Sequence, residues 1–136
     1  MAADIGKALY HKVTNNAGVI ALISTRFYPL ALPQTATFPA AVYQEISGQA
    51  IKVHDGPTVL PKPRFQITCW GLNFSDVVAV DAAIKTAIDG KRENWGTGSY
   101  VTKVLSSIAE STPRDDRDPT TGLYQRSRDY FIRWQE

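Results

Sequence analysis

The stretch RFQITCWG, residues 64–71, decides the fold of this chain. Apolar Phe65, Ile67 and Cys69 alternate with more polar neighbours, and alternation of this kind predicts a half-buried strand. A helical pattern follows within a few residues, from about residue 74 to residue 88. A strand that leads directly into a helix favours a sheet with helices on one face.

The helix predicted over residues 74–88 has one apolar stripe that we expect to be buried. Its members are Val77, Val80, Ile84 and Ile88. Asp81 and Lys85 lie one turn apart, so we expect them to pair at the solvent margin. This pairing leaves Asp81 without a chemical role.

Upstream of that strand the chain predicts two helical pieces, an irregular segment and a first strand. Ile5, Ala8, Leu9 and Val13 recur at helical spacing, and Asn16 is a good N-cap for a second short helix. Three prolines between residues 26 and 39 then favour extended or irregular backbone. These are Pro29, Pro33 and Pro39. AAVYQEISG, residues 40–48, alternates like a strand.

Downstream of the helix we expect a loop and two more strands. KRENWGTGSY (91–100) is glycine-punctuated and predicts a loop, while VTKVLSSIAE (101–110) predicts a strand. DDRDPTTG (115–122) predicts a turn, and YQRSRDYFIRW (124–134) a long closing strand. The predicted fold class is α+β: a mostly antiparallel sheet of about four strands, two main helices on one face and an arm between the first two strands.

Composition and charge are those of one ordinary folded domain. The chain has 136 residues, of which 43% are hydrophobic and 21% charged, so we expect a single domain over residues 1–136. The formal net charge of +2 is too small to indicate nucleic-acid or membrane binding as the main function. Cys69 is the only cysteine, which excludes an intramolecular disulfide and a multi-thiolate zinc site.

The first residues do not resemble a signal peptide. Lys7, His11 and Lys12 interrupt the apolar run that such a segment needs. No stretch reaches the roughly 20 apolar residues of a membrane span. We therefore expect a protein that is made and kept in the cytoplasm, unless it joins a larger particle.

The acidic run RDDRDPTTG, residues 114–122, is the strongest candidate for a metal site. Asp115, Asp116 and Asp118 could ligate a cation, which would make the chain a small metal-dependent hydrolase or nuclease. An EF-hand loop that began at Asp116 would, however, place its glycine one position late and lack the glutamate at position twelve. Two arginines inside the run offset its charge, so a solvated turn is the favoured interpretation and metal binding the alternative.

The sequence predicts no catalytic residue and no cofactor. Cys69 lies on the apolar side of its strand, where a lone cysteine is usually a small buried hydrophobe. The histidines are His11 and His54, and neither shows the spacing of a base paired with a nucleophile. We expect the chain not to be an enzyme.

The closing strand carries residue types that are enriched at protein interfaces. Arg126, Arg128, Tyr130 and Trp134 share one side of this strand. They are candidate contacts with another subunit or partner. The alternative, weighed equally, is that the aromatic side chains complete the core and the arginines trail to its rim.

The arm, QAIKVHDGPTVLPKP over residues 49–63, is the second candidate interface. It is rich in proline and partly apolar, and long loops in compact domains tend to be functional or disordered. We expect a neighbouring subunit to cover it. The candidate contact residues are Ile51, Lys52, Val53, His54, Asp55, Val59 and Leu60.

Four segments together resemble the tail completion, or tail terminator, proteins of long-tailed bacteriophages and gene-transfer particles. They are RFYPLALPQTATFPAAVYQEISG (26–48), HDGP (54–57), PRFQITCWGLNFSDVVAVDAAIKTAI (63–88) and DPTTGLYQRSRDYFIRW (118–134). The resemblance implies a structural virion protein of the neck or tail, assembled in the host cytoplasm. It also implies a small α+β fold in which a sheet is backed by helices.

The same resemblance implies the partners. A ring, typically of six copies, would cap the head-proximal end of the tail tube and join it to the head connector or stopper protein. DNA would pass through the lumen without specific binding, which fits a small net charge. The family has no catalytic motif, so no catalytic, cofactor-binding or metal-binding residue is carried over, and no membrane partner is expected.

Overall fold

The computed structural model describes residues 5–52, 59–98, 101–110 and 112–135, with residues 47–52, 59–63 and 135 described by their backbone alone. Within these ranges the chain has three helices: α1 (Ile5–Thr14), α2 (Ala17–Ile23) and α3 (Phe74–Ile88). The strands are β1 (Phe27–Pro29), β2 (Ala40–Lys52), β3 (Val59–Gly71), β4 (Glu93–Trp95), β5 (Thr102–Ala109), β6 (Arg114–Arg117) and β7 (Tyr124–Gln135).

The strands form one sheet in the order β1-β2-β3-β7-β5-β4, and β6 pairs with β7. The α+β class is confirmed, but the expected sheet of about four mostly antiparallel strands is wrong. The described sheet has seven strands and is mixed, because β1 runs parallel to β2. The second short helix predicted after Asn16 is α2, which packs against α3.

The core lies between the helices and one face of the sheet. Alternation along β3 turns Phe65, Ile67 and Cys69 into this core, as the sequence predicts. The predicted stripe of α3 is buried against them. Gly71 joins the two elements, and a Cβ there would lie 2.9 Å from a methyl carbon of Val77. The glycine therefore allows the strand and the helix to meet closely.

The first helical turn of α2 is held by the predicted cap. The Asn16 side chain accepts a hydrogen bond from the Val19 backbone N–H at 3.2 Å. α1 and α2 bury Leu9, Val13 and Ile23 in the core. Within the described residues, no helix has the length and apolar character needed to cross a membrane.

Two segments that were predicted as a loop and a turn contain short strands. Residues 91–100 include β4, whose Trp95 is 1% exposed and donates its indole N–H to Glu93. Residues 115–117 extend the chain along β7 as part of β6, and the turn begins at Asp118. Both strands are short and depend on a distant partner strand, which local sequence patterns do not reveal.

We predict that Trp95→Ala lowers the free energy of unfolding by about 3–5 kcal/mol, because it removes a fully buried indole and leaves a cavity. Urea unfolding monitored by circular dichroism measures the change. Asn94→Ala, at the exposed neighbouring position, is the control and should stay within about 0.5 kcal/mol of the parent. Equal effects of the two substitutions would show that β4 is not part of the core.

Candidate functional site

The even-numbered residues of β7 face the helices and complete the core. Tyr130 and Ile132 are fully buried, and Trp134 is 6% exposed. Their burial agrees with the alternative interpretation, in which the aromatic residues of the closing strand complete the core. In a single subunit Tyr130 and Trp134 therefore present almost no surface to a neighbour.

Arg128 is also buried, and its charge is matched inside the subunit. Its Nε donates to Asp81 Oδ1 at 3.1 Å, and its Nη2 donates to Asp81 Oδ2 at 3.0 Å. A third donor, Nη1, bonds the Glu110 carbonyl oxygen. The hydrogen bond to Asp81 is the main reason that the pKa of Arg128 is raised.

The predicted Asp81–Lys85 pair at the solvent margin is therefore wrong. Asp81 is 4% exposed and lies inside the stripe of α3, four residues after Val77 and three before Ile84. These two spacings place it on the core side of the helix. A carboxylate at that position requires a buried cation, and Arg128 supplies it.

Arg126 extends this charge network to β6. Its Nε and Nη2 donate to the two carboxylate oxygens of Asp115 at 2.7 and 3.1 Å, and its Nη1 lies 3.7 Å from Asp81. The hydrogen bonds to Asp115 raise the pKa of Arg126. Its guanidinium also lies over the Phe74 ring, 5.4 Å from the centroid. From β7, Arg126 thus contacts α3 and β6 of its own subunit.

A second network lies on the opposite face of β7. The fully buried Asp129 carboxylate accepts from Arg114 Nη2 at 2.6 Å and forms an ion pair with Arg64. Glu110 accepts from Arg114 Nη1 at 2.8 Å and from the Asp129 backbone N–H at 3.3 Å. The two networks together fasten β3 and β6 to β7.

The carboxylates of the acidic run are engaged by the protein. Asp116 Oδ1 accepts from the Arg117 backbone N–H at 2.8 Å, and Asp118 Oδ1 accepts from the Thr120 N–H at 2.8 Å. This backbone hydrogen bond is the main reason that the pKa of Asp118 is lowered. No group of three metal-ligating side chains occurs among the described residues. The geometry gives the metal-dependent alternative no support.

Cys69 has the environment of a core residue. It is 1% exposed, and burial raises the pKa of its thiol well above the ordinary value. A protonated, enclosed thiol is a poor nucleophile. Neither Cys69 nor the acidic run therefore offers a reactive group.

In the region of the predicted arm, β2 and β3 stay paired with each other beyond the last pair between β3 and β7. Pairing of β2 with β3 continues to Lys52↔Val59, whereas pairing of β3 with β7 ends at Arg64↔Phe131. We call residues 47–52 and 59–63 the hairpin ribbon. In the described pairing these two segments bond only to each other. A two-stranded ribbon alone is marginally stable in water, so this one gains from being covered.

The structure places the arm candidates in two groups. Ile51, Lys52, Val59 and Leu60 belong to the hairpin ribbon, and Ile51 pairs directly with Leu60. Val53, His54 and Asp55 lie outside the described residues. A contact between any of these residues and another subunit stays a prediction.

An apolar recess, which sequence reasoning missed, lies between α1 and the edge of the sheet. We call it the aromatic groove; it is lined by Lys7, Tyr10, Pro29 and Tyr43 and has a volume of about 440 Å³. Phe27 stacks beneath it, with its ring centroid 4.5 Å from that of Tyr43 and 6.3 Å from that of Tyr10. The periodicity of α1 gave no signal for it, because Tyr10 lies off the core stripe and meets Tyr43 only in the folded chain.

Leu30 follows β1 and lines a separate recess with Val42 and Gln44. Leu30 is 72% exposed, and its φ of 67° is a left-handed conformation that a leucine rarely adopts. Its backbone N–H donates to the Tyr43 carbonyl oxygen at 2.9 Å, which continues β1 along β2. Strained backbone that exposes a large apolar side chain is more common at functional positions than elsewhere.

Comparisons with known proteins agree with this architecture. A family model described as "Tail completion protein gp17" matches residues 7–134. Among solved structures, a chain from the virion of a native gene transfer agent particle is similar, with a TM-score of 0.70 and 15% sequence identity. That similarity covers 94% of this chain and 92% of the other, and it shows a shared fold. No curated protein sequence matches significantly.

We predict that Arg128→Met lowers the free energy of unfolding by about 3–5 kcal/mol, because Asp81 then stays buried without its main partner. Chemical unfolding measures the loss. The double substitution of Asp81→Leu with Arg128→Met should recover most of it, because neither charge remains in the core.

Lys85→Met is the matched control. It lies one turn from Asp81 and should change stability by less than about 0.5 kcal/mol. A large loss in Lys85→Met together with a small loss in Arg128→Met would contradict this assignment and restore the Asp81–Lys85 pair.

Proposed function

We propose that this chain, which belongs to the tail completion protein family and is a structural component of a virion tail, forms a ring at the head-proximal end of the tail tube and joins the tail to the head connector. The observation that carries the proposal is the family match over residues 7–134. The shared fold with a chain of a gene transfer agent virion supports it.

A ring requires two unlike surfaces on each subunit. In a head-to-tail assembly one surface of a copy meets a different surface of the next copy, and the rotation between copies determines whether the assembly closes. The hairpin ribbon supplies one such surface, since in the described pairing its two segments bond only to each other. We infer a ring of six copies from the family resemblance.

The proposed partners are the tail tube protein on one side of the ring and the connector or stopper protein on the other. DNA passes through the lumen without specific binding. The formal net charge of +2 supports this, because each phosphate that a basic side chain neutralises adds affinity and would slow the passage of DNA. Several arginines of the closing strands are also matched within the subunit.

The role is architectural, and we assign no reaction to the chain. The family is one of structural tail proteins. The carboxylates of the acidic run accept hydrogen bonds from their own chain, and the Cys69 thiol is enclosed. According to this proposal, the protein acts by making specific contacts with its own copies and with neighbouring parts of the virion.

We predict that a shortened ribbon abolishes ring formation and head–tail joining while the domain still folds. Residues 50–61 are replaced by Asn-Gly, which gives a two-residue turn between Gln49 and Lys62, a pair in the parent register. Light scattering gives the mass of the purified protein alone and with tail tubes. Electron microscopy of particles counts joined tails.

The control replaces residues 53–58 by Asn-Gly between the paired residues Lys52 and Val59, so that the described ribbon is retained. Melting temperatures of both variants confirm that the core is intact. If the shortened ribbon still gave rings and tailed particles, the ribbon would have no part in assembly. If the parent chain formed no ring even with tail tubes, the proposed function itself would be wrong.

A further inference from the structure

We propose that the aromatic groove of one subunit receives the hairpin ribbon of the neighbouring copy. This inference rests on the proposed ring and identifies its second surface. The groove is open to solvent at Tyr10, which is 37% exposed. Exposed apolar area next to a shaped recess is typical of a protein–protein contact.

The chemistry of the ribbon fits that of the groove. Ile51 and Leu60 are direct partners in the ladder and so lie on the same face of the ribbon. Pro61 and Pro63 follow on the same strand. Aliphatic residues and prolines are preferred occupants of recesses lined by tyrosine, because the rings offer flat apolar surface at low entropic cost.

The reach of the ribbon selects a second copy as the occupant. Tyr43 lines the groove, and Ile51 lies eight residues further along the same strand, which is about 26 Å at the rise of a β-strand. Because β2 stays paired with β3 over this length, the ribbon cannot fold back into its own groove. The ribbon can therefore fill only the groove of another molecule, and the proposed ring supplies a second copy.

The groove lies next to the point where β1 stops pairing with β2. β1 covers β2 at Ala41–Tyr43, and in the described pairing the following part of β2 has β3 as its strand partner. Each subunit would then donate one ribbon and accept one. That is the pattern of a head-to-tail ring.

Disulfide trapping tests the contact in the assembled protein. The chain carries Tyr10→Cys together with Leu60→Cys, and native Cys69 stays buried in the core. After mild oxidation of assembled rings, a non-reducing gel should show a ladder of covalent multimers that disappears on reduction. The matched control is Ile20→Cys with Leu60→Cys, since Ile20 is 43% exposed and does not line the groove.

The expected result is at least tenfold more covalent multimer in the Tyr10→Cys pair than in the Ile20→Cys pair. Rings that assemble but give no excess over the control would overturn this inference and leave the proposed function intact. Protection of the Tyr10→Cys thiol from alkylation by added tail tube protein, with no such protection on ring assembly, would also overturn it, because a different partner would then occupy the groove. Absence of any ring, in the parent as well, would remove both proposals.

A second variant guards against local effects of the cysteines. Tyr10→Glu keeps a good helix former in α1 and places a charge at the groove. We expect the subunit concentration for ring formation to rise at least tenfold, with a smaller change for Ile20→Glu. Equal changes in the two variants, at unchanged melting temperatures, would contradict the inference.

Discussion

The buried pair of Arg128 and Asp81 ties the middle of the sheet to the helix that covers it. Arg128 is 5% exposed and Asp81 4%, and two hydrogen bonds of about 3 Å join them. Two charges removed from water are destabilising unless each is paired with the opposite charge. An arginine guanidinium can bond both oxygens of a carboxylate in only a few orientations. The pair therefore restricts how α3 can lie on β7. Because β7 also bonds β3, β5 and β6, the rest of the sheet follows from that placement.

This constraint bears on how the subunit can meet others. Arg126 and Arg128 have residue types common at interfaces, yet their guanidinium groups already bond Asp115 and Asp81. Recruiting Arg128 to a partner would leave the buried Asp81 carboxylate without its main partner, at a cost of several kcal/mol. Assembly contacts are therefore better sought at the margins of the sheet. The hairpin ribbon and the aromatic groove lie there, where apolar or strand surface meets solvent.

Local periodicity predicted much of this fold, but it predicted few of the contacts between residues that are far apart in the chain. The alternation in residues 64–71 and the stripe of α3 were sufficient to place both elements and most of the core. The β1, β4 and β6 strands were missed because they are three or four residues long and exist through pairing with distant strands. Asp81 carried a usable signal, since it falls within the apolar stripe, but its partner lies 47 residues away and no local rule names it. The aromatic groove has the same origin, because α1, β1 and β2 each contribute to it.

In the proposed ring, the donation of the hairpin ribbon to the next subunit explains why growth would stop. An open row of subunits leaves one ribbon uncovered at one end and one groove empty at the other. Closure joins these two ends without bringing in another molecule, so the last contact forms at a high effective concentration and with little further loss of translational freedom. A two-stranded ribbon that is marginally stable alone strengthens this preference, because a neighbour that covers it adds stability. The closed ring is then favoured over any open row, and its size is determined by the angle between ribbon and groove within one subunit.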